Sequence, residues 1–124
     1  MRAQLLLAIT LVGCASGMRI TAVATESVAL ASLTCDAGST HAGMESPRYV
    51  ETNPVMGDHP GTTTQVAYFG AVGAALVGVN EAFQHAEGGV AGDVLRTIVN
   101  VAVVGVEIFA VSGNTSIGVP LCGI

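Results

Sequence analysis

A small all-α membrane bundle, three apolar helices behind an N-terminal signal segment, is the fold this sequence predicts. Three observations predict it. Hydrophobic residues make up 51% of the 124 residues and charged residues only 10%, against about 25% charged in an ordinary soluble domain. The apolar residues gather into long stretches separated by Gly- and Pro-containing connections. The polar residues within two of those stretches recur at helical spacing, which makes a stripe rather than a scatter. A chain of this length holds one domain. It has 16 Gly, no Lys and no Trp, and its four cations are Arg2, Arg19, Arg48 and Arg96. Four scattered arginines in a chain of net charge −5 do not build a phosphate-tracking surface, so no nucleic-acid partner is expected.

Residues 1–13 read as a lipoprotein-type signal. Arg2 supplies the charged start and residues 3–11 a short apolar core. Leu11-Val12-Gly13-Cys14 resembles the bacterial lipobox, whose cysteine is lipidated after cleavage. Cys14 is therefore the expected lipidation site, and membrane lipid the expected partner. An uncleaved signal anchor and a start at Met18-Arg19 are the alternatives. Residues 14–112 form the membrane domain and 113–124 an irregular tail.

Three further apolar stretches cover residues 20–35, 66–79 (running on to about 85) and 94–111. Each lies near or just under the roughly 20 residues that span a bilayer as a helix. Between the first two, residues 43–64 are polar and hold Pro47, Pro54 and Pro60. They end in Thr62-Thr63-Thr64, a helix-cap sequence. Glu87-Gly88-Gly89 reads as a tight turn, and Asp93 as the cap of the third helix.

In the first helix Thr21, Thr25, Ser32, Asp36 and Thr40 share one stripe. In the third, Arg96, Asn100 and Glu107 do the same. The second carries Gly70, Ala74 and Gly78 at small-x-x-x-small spacing, the pattern of close helix packing. It is the expected contact face for its neighbours, for a second copy, or for another membrane protein. One crossing separates the first and third helices, so they run in the same direction. Asp36 and Glu107 then lie near one membrane face, and Glu26 and Arg96 near the other. An intramembrane charge costs at least about 2.5–3.5 kcal/mol, so each needs a partner or water.

The elements Asp36-x-x-Ser39-Thr40 and Glu51-Thr52-Asn53-Pro54-Val55-Met56-Gly57 resemble those of a family of small, functionally uncharacterised bacterial membrane proteins. That family carries Asp-x-x-x-Thr at the end of an early helix, then Glu-x-Asn-Pro and two apolar residues, then two apolar helices. The resemblance covers residues 20–112 and implies a helical membrane protein. It carries over no activity, and the lipobox-like leader departs from it. Read physically, Asp36 and Thr40 share a helix turn, and Asn53-Pro54 starts a turn. Glu51 accepts from helix-end amides or Thr40, which fastens the loop over the bundle. Asp36, Thr40, Glu51, Asn53, Asn100 and Glu107 are thus the expected polar network. Its role is structural stitching or, alternatively, an ion or proton site at Asp36, Glu51 and Glu107.

Among His41, His59 and His85 there is no His-x-x-x-His, and there is no Cys-x-x-Cys, phosphate loop or nucleophile elbow. No metal, cofactor or catalytic activity is expected. Glu81 and His85, one turn apart, form a surface pair. The expectation is a non-catalytic lipoprotein of the bacterial inner membrane, structural or accessory. An ion- or proton-handling protein and a lipid-tethered periplasmic binding module are the alternatives. Cys35 and Cys122 fall on the same side. With a lipid-anchored start outside the cell that side is cytoplasmic, and both thiols are expected to be free; a start at Met18 with Arg19 inside predicts the opposite.

Overall fold

The computed structural model describes the backbone of residues 2–86 and 89–124, and the side chains from residue 16 onward within those ranges. Cys14 and the 1–13 signal reading fall outside the described side chains, and Glu87 and Gly88 outside the described residues. Three helices follow one another: α1 (Arg2–Met44), α2 (Thr62–Ala86) and α3 (Gly89–Ser116). A short 3-10 turn, η1 (Leu121–Gly123), follows them. The all-α class holds, with no strand among the described residues. Each helix is longer than its apolar stretch. At 1.5 Å per residue α2 and α3 are about 37 and 42 Å long, against a hydrocarbon core of about 30 Å. By length and composition these two could cross a bilayer; α1, with Thr, Ser and Glu26 spread through it, does not show a third such span among the described residues.

Helices α1 and α3 are parallel, as the single intervening crossing requires. Asn100 Nδ2 donates to Ala22 O, 78 positions away, and Asn114 Nδ2 donates to Ser39 Oγ, 75 positions away. The near-constant offset means the two helices keep register over four turns. Ala22 and Ala29 are wholly buried, so small residues of α1 let α3 approach. Gly70, Ala74 and Gly78 of α2, predicted to do this, are exposed. A Cβ built on Gly70 or Gly78 would meet nothing within 4 Å. Helix α2 instead buries Gln65, Phe69, Leu76 and Asn80, at spacings of four, seven and four on one face. The small-residue row lies on its outer surface. Three smaller corrections follow from helix length. Thr62–Thr64 form the first turn of α2 rather than its cap. Asp93 lies inside α3 and is buried. The irregular tail begins only after Ser116.

The bundle is polar inside and apolar outside. Apart from Gly43, Pro60 and Gly92, the buried residues among those described are nine apolar and nine polar or charged. The apolar cluster found among the described residues is small, consisting of Leu33, Met56 and Phe69. Outside stand Ile98, Val101, Val106, Ile108 and Phe109 of α3, and Val66 and Val77 of α2. Only 11% of the apolar stretch of α2 and 22% of that of α3 is buried within the bundle. A core helix of a water-soluble domain would be mostly buried; here the apolar surface points away from the protein.

The stapled end departs from expectation. Cys35 and Cys122 form a disulfide with Cα atoms 4.1 Å apart, which replaces the predicted free thiols. The reason is the tail. Cys122 and Cys35 are held together because η1 folds back across α1 at Gly38, where Gly123 N lies 3.7 Å from the position a Cβ would take. Residue Gly38 has no side chain to prevent this approach.

Candidate functional site

Two polar layers lie inside the bundle, one at each end. The first, at the Arg19 end, centres on Arg96. Its Nη2 donates to Glu26 Oε2 at 2.9 Å, its Nη1 to Asp93 Oδ1 at 3.3 Å, and its Nε to Asn80 Oδ1 at 3.4 Å. Asn80 and Asn100 bond reciprocally, Nδ2 to Oδ1, at 2.9 and 3.1 Å. Asn100 also reaches Thr25 Oγ1 and the Ala22 carbonyl, each at 3.4 Å. All three helices contribute, and every polar atom of the Asn pair has a partner. The guanidinium fork explains the choice of Arg, since three acceptors on three elements need several donors in fixed geometry. The expectation that Glu26 and Arg96 share one end, with partners, holds. Asn100 belongs to this layer and not to the network of Asp36 and Glu107, to which it was assigned.

The second layer, at the disulfide end, holds the other predicted residues. Asp36 of α1 and Glu107 of α3 are both buried at this end and line one cavity between the helices and the loop. Thr40 and Ser39 are buried beside them. The loop over residues 45–61 closes above. Glu51 Oε1 accepts from Asn53 N at 2.8 Å, and its Oε2 accepts from Tyr49 Oη at 2.9 Å. Thus Glu51 fastens the loop, though through Asn53 and Tyr49 rather than helix-end amides or Thr40. Asn53 Oδ1 accepts from Val55 N, and its carbonyl from Met56 N and Gly57 N. That is a turn in which Pro54 loses nothing by lacking an N–H, and Gly57 takes the required positive φ of 78°. The turn drives Met56 into the apolar cluster, which gives the Glu-x-Asn-Pro-Val-Met order a physical reason.

Tyr49 is the residue the sequence reading missed here. Its side chain lies against Gly43, where a Cβ would stand 2.6 Å from the ring, and its hydroxyl joins Glu51 and Asn114 Oδ1. Burial, with the Glu51 carboxylate adding to it, pushes its phenol up to about 12. It therefore stays a donor across the physiological range. The Tyr49→Phe change should release the loop from both partners and cost about 1 kcal/mol; faster proteolysis after Arg48 is the measurement. The Gly43→Ala change should produce at least the same release, because the ring cannot move into α1.

A cavity of about 480 Å³ lies between this loop and the helices, lined by Asp36, Tyr49, Glu51, Tyr68, Glu107 and Phe109 among others. No Arg or His forms an ion pair with any of its three carboxylates among the described residues. Arg48 lies at its edge and is exposed. One oxygen, Asp36 Oδ1, is buried without a hydrogen-bond partner.

The histidines show no ligand arrangement. Among the described residues no three His, Cys, Asp or Glu side chains are placed to hold a metal. The ring of His41 donates from Nδ1 to Gln65 Oε1 at 3.3 Å, while Gln65 Nε2 donates to the Pro60 carbonyl. This ties the start of α2 to the end of α1. Glu81 and His85 form the expected exposed pair at 3.3 Å. No family model, no curated protein and no solved structure matches the chain.

Proposed function

We propose that the chain is a small, non-catalytic helical membrane protein with a structural or accessory role. Its disulfide end faces an oxidising compartment and its Arg19 end the cytoplasm. The single observation that carries this is the inverted distribution of polarity. Asn80, Arg96 and Asn100 are buried, while Ile98, Val106 and Phe109 are exposed. In water that arrangement exposes a large apolar surface; in a bilayer it satisfies both solvents. The polar layers then act as interhelical glue, since a polar group in hydrocarbon finds its partners only on another helix. The resemblance to small bacterial membrane proteins supports the same reading, with the inner membrane as the expected location.

Two features support the orientation. Disulfides persist in oxidising compartments and are rare in the bacterial cytosol. Arg2 and Arg19 stand toward one end, against Arg48 alone in the loop at the other, an excess of cations in keeping with the cytoplasmic side. This orientation argues against a three-crossing lipoprotein and leaves Cys14 on the inner side, without lipid.

Alkaline carbonate extraction tests insertion; the protein should stay with the membrane pellet, and release into the supernatant overturns the reading. Orientation is tested by a membrane-impermeant thiol reagent on intact cells. Cys35 and Cys122 should label only after reduction. A mature protein whose mass shows a lipid on Cys14 would restore the lipoprotein reading.

A further inference from the structure

The disulfide-end cavity holds two carboxyl groups that cannot be explained by packing. Asp36 comes from α1 and Glu107 from α3, and both are buried, at 9% and 8% relative exposure. They line the same cavity, and no cation pairs with either among the described residues. Two ionised carboxylates held off water in one cavity repel each other and have only acceptors to offer; a proton on one removes the repulsion and supplies a donor. The neighbours do not supply a substitute. Around the pair stand Ser39 and Thr40 from α1, Glu51, Tyr49 and the edge residue Arg48 from the loop, Tyr68 from α2, and Asn114 from α3. The Tyr49 hydroxyl is committed to Glu51 and Asn114, Ser39 Oγ donates to the Asp36 carbonyl, and Arg48 makes no ion pair among the described residues.

The orphaned Asp36 Oδ1 narrows the ligand. It is nearly inaccessible and has no donor, so a hydrated metal ion or an organic ammonium would have to displace protein to reach it. A proton needs no such room. We propose that Asp36 and Glu107 form a proton-binding pair, holding one proton between them and exchanging it through the cavity beneath the 45–61 loop.

The bundle makes this a one-sided site. At the far end the Asn80–Asn100 pair leaves no free acceptor, and Arg96 places a fixed positive charge in the path. A proton entering from the disulfide end therefore returns the same way, and the pair binds protons without conducting them. This assignment rests on the bundle geometry rather than on the bilayer. It applies equally to the protein in detergent, so its failure would leave the membrane reading standing.

The test is infrared spectroscopy of the full-length protein in detergent, following the C=O stretching band of protonated carboxyl groups at neutral pH. The wild type should show such a band, shifted in heavy water and lost on alkaline titration. Asp36→Asn and Glu107→Gln should each remove it or move its loss to at least tenfold higher proton concentration, since each leaves one carboxylate without a like-charged neighbour. The exposed Glu81→Gln change should leave it intact, and retention of the Cys35–Cys122 disulfide should report that the variants fold. Should either variant fail to fold, labelling of the wild type by a lipid-soluble carbodiimide, which attacks protonated carboxyl groups, replaces it. Label should then fall on Asp36 or Glu107 and decline as pH rises. A wild type with no protonated band, a band altered by only one substitution, or label absent from both residues overturns the proposal.

Discussion

Replacing Arg96 by leucine should destabilise the bundle by about 3–5 kcal/mol, the cost of removing one partner from a buried ion pair. The side chain is 4% exposed, and its acceptors, Glu26 and Asp93, are 19% and 12% exposed. Without the guanidinium, two carboxylates face each other across α1 and α3 with no countercharge, and Asn80 Oδ1 loses one of its donors. The Glu26→Gln change should cost less, about 1–2 kcal/mol, because the amide oxygen still accepts and Asp93 still pairs with the arginine. Joining Glu26→Leu to Arg96→Leu should recover part of the loss, since apolar groups of similar volume often replace a buried pair without penalty. Unfolding by denaturing detergent in mixed micelles measures all four proteins. An Arg96→Leu variant within about 1 kcal/mol of the wild type would remove the layer from the stabilising interactions.

The second large effect is expected at Gly38. The tail crosses α1 there, and a Cβ would overlap the Cys122 carbonyl oxygen and stand 3.0 Å from its carbon. These are backbone atoms, held by the disulfide on one side and the η1 turn on the other, so they cannot rotate away as a side chain would. Gly38→Val should therefore lift the tail and prevent Cys35 and Cys122 from closing. Their separation of 87 residues sets the loss at about 4–5 kcal/mol in the chain-entropy limit. On the proposed membrane reading the value should be smaller, because helices inserted in lipid remain helical when they separate. Free thiol content after denaturation, with the unfolding midpoint, measures both parts. Gly113→Ala is the control, since its Cβ would meet nothing within 4 Å. A Gly38→Val protein that keeps its disulfide and its midpoint contradicts this account of the tail.

Physical cause separates what was legible in this chain from what was not. Composition and the 3.6-residue period determined the all-α class, the three helical segments and the two connections between them. Counting crossings determined that α1 and α3 run parallel, and so placed Asp36 and Glu107 near one end and Glu26 and Arg96 near the other before any coordinates. These inferences concern direction and position along a helix, which a sequence encodes locally. Rotation about the helix axis is different. Helix α2 carries two candidate faces, Gly70-Ala74-Gly78 and Gln65-Phe69-Leu76-Asn80, and both satisfy helical spacing. Only the positions of Asn100 and Leu33 decide that the second turns inward, so that Asn80 completes the Arg96 layer and the glycine row lies outside. The spacing of Gln65 and Asn80 was the available signal.

The disulfide and the Tyr49 latch were also decided in three dimensions. Each depends on a backbone or ring coming close to a glycine, Gly38 under the tail and Gly43 under Tyr49. In the sequence those glycines are two of 16, with nothing to mark them. The sequence by itself determined which segments are helical, their direction and which charges share an end. The tertiary structure decided which faces meet and where the chain folds back, because those depend on close approach between residues that are distant in sequence.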